Sequence, residues 1–154
     1  MSKLKGLPIG FVGTCLGLAT LSNVYNLLGY PWVRHLCMWL AGLAAVFGVF
    51  KGIFFFGKVK KENKNGVLAA MYTTITMCAM LFGSYIASYN LAVGKAIFLV
   101  GMSIHMAMIL CYTIYHIFMN FKSDFLLPAY FVTYNGLLVS TVAGINMLPP
   151  KLAM

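Results

Sequence analysis

Three histidines, four cysteines and two acids are the side chains this sequence offers for catalysis, metal binding or redox work, and their spacing narrows the options. The acids, Glu62 and Asp124, stand far apart in polar stretches. No paired carboxylate, nucleophile–base set or phosphate-cradling loop is present, so the sequence predicts no enzyme. Cys15, Cys37, Cys78 and Cys111 fall one to each of the first four apolar segments, without a C-x-x-C pair or zinc spacing. They are expected to pack as small apolar groups. His105, Ile109, Tyr112 and His116 share a helical face, and His35 opens an earlier segment. Intramembrane histidines invite a haem or proton-relay reading. A bis-histidine haem needs ligands at matched depth on facing helices, yet His105 falls near mid-segment and His116 and His35 near opposite ends. Histidines satisfied by neighbours are the expectation, with no cofactor and no metal.

A second kind of chemistry is carried by small and hydroxyl residues. The first segment reads Pro8-x-Gly10-x-x-Gly13-x-x-x-Gly17, with Leu21 on the same stripe. A later segment opens at Pro128 and places Ala129, Thr133, Gly136, Ser140 and Ala143 or Gly144 on one face. Thr73, Thr76, Met80, Gly83 and Ala87 do the same between them. Small-residue faces let helix backbones approach closely in lipid. Prolines free backbone groups, which are tolerated where they line a water-filled cavity. The hydroxyls of Thr73, Thr76, Thr133 and Ser140 either donate to a passing anion or bond the carbonyl one turn back on their own helix.

These residues need helices in a membrane to position them. The chain of 154 residues is 62% hydrophobic and 8% charged, with a mean hydropathy of +0.90; a soluble domain is about 45–50% apolar and about 25% charged. Five apolar stretches are each long enough to cross a bilayer: residues 8–28, 32–56, 67–88, 91–118 and 125–148. Short connections, including a polar run over residues 57–66, predict an all-α, up-and-down bundle and a single transmembrane domain over 1–154. The net charge of +9 resides in loop lysines, which reads as topology rather than nucleic-acid binding. A cytoplasmic N-terminus puts Lys3, Lys5, Lys58, Lys60, Lys61, Lys64 and Lys122 inside, and Arg34, Lys95 and Lys151 outside with the C-terminus. Lys51, inside the second segment, is expected to snorkel to the interface. No small-x-small cleavage site follows the first segment, so it is expected to be retained. The second and fourth segments are aromatic, with Trp32, Trp39, Phe47, Phe50, Phe98, Tyr112 and Tyr115. The alternation predicts an inner ring of segments one, three and five and an outer ring of two and four.

The opening Leu7-Pro8-Ile9-Gly10-Phe11-Val12-Gly13-Thr14-Cys15-Leu16-Gly17-Leu18-Ala19 resembles the first helix of the tellurite-resistance and dicarboxylate transporter family, which includes the plant slow anion channels. Leu127-Pro128-Ala129-Tyr130-Phe131-Val132, continued by Gly136, Ser140 and Val142, resembles its fifth helix. The resemblance implies ten helices as five hairpins around a central pore, within a trimer in the plasma membrane. It implies proline-kinked odd helices lining the pore, a blocking phenylalanine on the ninth helix, and small inorganic anions or C4-dicarboxylates as substrates. The chain would be the N-terminal half of such a domain, without that phenylalanine. On this reading Pro8, Gly10, Gly13, Gly17, Thr73, Thr76, Gly83, Pro128, Thr133, Gly136 and Ser140 line or kink the pore, and rim lysines concentrate anions. The alternatives are a non-transporting membrane assembly protein and a histidine-ligated electron carrier.

Overall fold

A computed structural model describes residues 9–120 and 129–147. Pro8, Pro128 and the lysines at 3, 5, 122 and 151 therefore lie outside the described residues. So does Asp124.

The described chain is helical throughout its long elements: α1 (Gly10–Leu27), α2 (Pro31–Phe54), α3 (Phe56–Glu62), α4 (Gly66–Ala87), α5 (Leu91–Tyr112) and α6 (Ala129–Gly144). A π-helical turn, Thr113–Met119, prolongs α5, and a 3-10 turn, Ile145–Met147, follows α6. Local chemistry sets the boundaries. After α1, Gly29 takes a φ of 90°, the left-handed conformation that glycine enters without a Cβ penalty. Tyr30 N donates to Tyr25 O at 2.9 Å and Gly29 N to Asn26 O at 3.2 Å, the paired bonds of a Schellman stop. Pro31 then occupies the first turn of α2, where a missing N–H costs nothing. The Asn65 side chain caps α4 by accepting from Val67 N at 3.0 Å. Asn90 caps α5 by accepting from Ala92 N at 3.1 Å and Val93 N at 3.2 Å.

Three helices are long and apolar enough to cross a membrane: α2, α4, and α5 with its π extension (Leu91–Met119). Five such spans are the sequence expectation, and α1 and α6 are not among the three. The last turns of α1 carry Ser22, Asn23 and Asn26, which dilute its hydropathy. The 16 residues of α6 reach about 24 Å at 1.5 Å each, short of a hydrocarbon core of about 30 Å.

The centre of the bundle is α4, which packs against α1, α2, α5 and α6. Within the spanning windows, 67% of α4 is buried, against 39% of α2 and 28% of α5. Large apolar side chains cover the outside: Trp39, Leu43, Phe50 and Ile53 on α2, Leu99, Val100 and Ile104 on α5. That exterior suits lipid rather than water.

The close approaches use small residues on α2 and α5 that aromatic content had masked. A Cβ on Gly94 would stand 2.3 Å from Ala87 N, and one on Gly83 would stand 2.9 Å from Phe98 N, so α4 and α5 cross backbone to backbone. Gly42 seats Phe82, and Gly48 seats Ile75, with added-Cβ distances of 2.9 and 2.6 Å. On α1 the buried stripe is Val12, Cys15, Ala19 and Ser22. Gly10 and Gly13 make ordinary contacts, and a Cβ at Gly17 would meet nothing within 4 Å.

The polar run after the second segment, expected as a loop, folds into α3. Lys58 Nζ lies 3.6 Å from Glu62 Oε1, a favourable i,i+4 pair. Lys51 does not snorkel. It is 3% exposed, and its Nζ lies 3.4 Å from Glu62 Oε2, while the Tyr72 hydroxyl donates to the same oxygen. Folding α3 back over the end of α2 brings the carboxylate to the buried ammonium, which removes the need to reach water.

Candidate functional site

Thr76 on α4 and Thr133 and Gly136 on α6 converge on His105, while Gly83 packs on α5, Ser140 bonds its own helix, and the candidates on α1 stand apart. His105 is 1% exposed. Its Nδ1 lies 2.7 Å from Thr76 Oγ1 and its Nε2 3.1 Å from Thr133 O. A carbonyl oxygen only accepts, so Nε2 carries the proton in that bond. In the neutral ring Nδ1 accepts from the Thr76 hydroxyl. Thr76 also lies 2.7 Å from Thr73 O; when it donates there, its oxygen can accept from a protonated Nδ1. Gly136 makes room for the ring: a Cβ there would stand 1.8 Å from Nε2. Thr73 donates to Ala70 O at 2.7 Å, and Ser140 to Leu137 O at 2.7 Å. These hydroxyls follow the local-bond alternative. Thr133 Oγ1 is buried without a hydrogen-bond partner. The cluster is a packed polar node tying α4, α5 and α6 together.

The other histidines are also engaged. His35 Nδ1 lies 2.7 Å from the Tyr85 hydroxyl, and His116 Nε2 lies 3.1 Å from Asn63 O. No group of three His, Cys, Asp or Glu side chains capable of holding a metal occurs among the described residues. Cys15, Cys37 and Cys78 are buried as expected; Cys111 is exposed, a departure from that expectation.

The place best suited to a ligand was not among the candidates. At the end of the bundle away from α3, α1, α2, α4 and α6 surround a cleft of about 310 Å³. Its polar lining is Asn23 and Asn26 from α1, Arg34 from α2 and Ser84 from α4. The local sequence explains the arrangement. Asn23 and Asn26 stand three apart on the last turns of α1, hence on one face. The Gly29 stop reverses the chain, and Pro31 starts α2 so that Arg34 falls on its first turn, opposite those amides. The Arg34 guanidinium carbon lies 5.6 Å from the centroid of the Tyr85 ring. Arg34 Nε is buried with no hydrogen-bond partner. Arg34 forms no ion pair among the described residues, whose acid, Glu62, is paired with Lys51 and Lys58 at the opposite end.

A guanidinium presents five N–H donors in a fixed fork, and asparagine amides and a serine hydroxyl add neutral donors. Such a set can hydrogen-bond an anion, and the positive end of α2 favours negative charge at the same place. Polar residues inside apolar helices were the available sequence signal: Asn23-x-x-Asn26 interrupts an otherwise greasy turn.

Glu62 sits outside the spanning helices. Burial by itself would raise its carboxyl pKa; the Tyr72 hydrogen bond and the Lys51 and Lys58 charges outweigh burial and hold it below the ordinary carboxylate value.

No protein-family model, curated protein or solved structure matches the chain.

Proposed function

We propose that this chain binds small anions in the Arg34 cleft and conducts them across a membrane, as its resemblance to the tellurite-resistance and dicarboxylate transporter family implies. The observation that carries the reading is the Arg34 Nε, buried and partnerless beside Asn23 and Asn26. An unsatisfied buried donor on a cation is costly, and an incoming anion removes that cost. The cleft is lined by α1, α4 and α6, the helices of the first, third and fifth predicted segments, together with the start of α2, which supplies Arg34; beyond that turn α2 presents Trp39, Phe50 and Phe54 outward. The outward aromatic face of α2 supports an inner set and an outer set of helices within a five-span bundle, with the start of α2 reaching in to the cleft. In this scheme α1, α4 and α6 form one wall of the anion path, and the Asn23–Asn26 face of α1 lines it. Orientation in the plasma membrane follows the lysines, with the α3 end cytoplasmic and Arg34 extracytoplasmic.

Thr76 and Thr133 engage both ring nitrogens of His105. That engagement speaks against His105 as a haem ligand, which needs a free imidazole nitrogen to meet iron.

The test is anion uptake into liposomes containing the purified full chain, with nitrate, chloride and a C4-dicarboxylate offered separately. Protein-dependent uptake of at least one is expected. Uptake no faster than in protein-free liposomes removes the transport proposal and leaves a membrane assembly role.

A further inference from the structure

A second cleft lies at the opposite end and on the opposite flank of α4, and its shape is that of a head joined to a tail. The tail is an apolar groove of about 660 Å³ between α2, α4 and α5, floored by Ile75 and Ala79 and opened by Gly48 and Gly52. On α5 it runs from Met108 to Ala96, about 18 Å at 1.5 Å per residue, which is a little over half a hydrocarbon core. The head is an adjoining cleft of about 440 Å³ that shares Phe56, Val59, Asn63 and Met108 with the groove and adds Lys60 and Lys64. Helix α3 sits where the two meet, packing Val59 on the core and leaving Phe56 and its lysines exposed at the rim. A short amphipathic basic helix of this kind rests at the level of lipid headgroups.

Charge settles the occupant. Glu62, the acid on α3, is neutralised by Lys51 at 3.4 Å and Lys58 at 3.6 Å. Lys60 and Lys64 form no ion pair among the described residues, so the rim of the groove is net cationic. No aspartate or glutamate lines the head. We infer that this groove is a binding site for one anionic phospholipid, its phosphate held by Lys60 and Lys64 and an acyl chain laid along α4 between α2 and α5. The inference is independent of anion transport, since Arg34 lies at the other end of the bundle.

The test uses the purified full chain, stripped of lipid and offered equimolar palmitoyl-oleoyl phosphatidylglycerol and phosphatidylcholine in mixed micelles, with bound lipid and oligomeric state read by native mass spectrometry. Phosphatidylglycerol is expected to be retained over phosphatidylcholine by more than about tenfold, each lysine contributing about fivefold. The pair Lys60→Gln and Lys64→Gln should bring that ratio close to unity, and Lys95→Gln, at the far end, should leave it unchanged. Gly52→Leu fills the groove with the charges intact, because a Cβ there meets nothing within 4 Å; both lipids should be lost. Equal retention of the two lipids by the wild-type chain overturns the site. So does retention that Gly52→Leu leaves intact, which would mean diffuse attraction to the lysines. A dimer that Gly52→Leu dissociates, with lipid retention unaltered, would assign the groove to a second copy and equally overturn it. Lys60 and Lys64 are exposed, so the charge variant tests the idea even if the groove variant fails to fold.

Discussion

At the scale of single residues, two side chains that would be expensive to bury alone are made safe by one neighbour each. His105 fits because residue 136 has no side chain. Gly136→Ala puts a methyl 1.8 Å from Nε2, so the ring must leave Thr133 O. A loss of about 1–3 kcal/mol is expected, as for other overpacked cores. Thermal unfolding in detergent measures it. Adding His105→Ala should recover part of that loss, because the clash and the ring disappear together. Lys51 is held by Glu62 in the same way. Glu62→Gln should destabilise by roughly 1–3 kcal/mol, the cost of a poorly satisfied buried group. The pH dependence has a definite sign. Because the folded-state pKa of Glu62 is held below its ordinary value of 4.5, its contribution is fully present above about 4.5 and is lost as pH falls through the folded value. Unfolding midpoints followed from neutral to acidic pH should show that loss in the wild type and a reduced slope in Glu62→Gln. An unchanged slope would mean the carboxylate is not the group that stabilises Lys51.

At the scale of elements, packing is decided by which small residues face a neighbour. Gly94→Ala should destabilise by about 1–3 kcal/mol, because its added carbon strikes the backbone of Ala87, which has nowhere to go. Gly17→Ala should be neutral, since nothing lies within 4 Å. Midpoints for the two variants, compared side by side, check the assignment of the faces. Helix positions were largely legible in the sequence, since apolar runs broken by Gly29-Tyr30-Pro31 and by Asn90 leave few places for a helix to end. The faces were less so. A glycine repeat on α1 has the same spacing whether or not a partner covers it, and the small stripes of α2 and α5 were hidden among Trp39, Phe47, Phe50 and Phe98. Helix α3 was invisible for a different reason: its polar sequence reads as a loop, and it is tied down by a tertiary bond from Lys51 that no local pattern reports. The hydroxyls of Thr73, Thr76 and Ser140 were singled out, yet whether each turns to a ligand or to its own helix depends on rotamers that sequence does not specify.

At the scale of the whole molecule, charge is sorted to the two ends. The α3 end carries Lys58, Lys60, Lys61 and Lys64, and the other carries Arg34 and Lys95. Between them the described interior has hydroxyls, His105 and apolar surface. An anion crossing such a bundle would be attracted at both mouths and bound weakly between them, which suits passage better than storage. Arg34 is therefore where the proposed function is most exposed to test. Saturable nitrate uptake should be compared in liposomes containing the wild-type chain, Arg34→Lys or Arg34→Gln. The expected result is a loss of about ten- to a hundredfold in uptake at low nitrate for Arg34→Gln, the worth of a hydrogen bond to a charged group. Arg34→Lys should fall in between, because it keeps the charge without the fork. Uptake by Arg34→Gln equal to wild type would contradict the assignment of the cleft as the anion site.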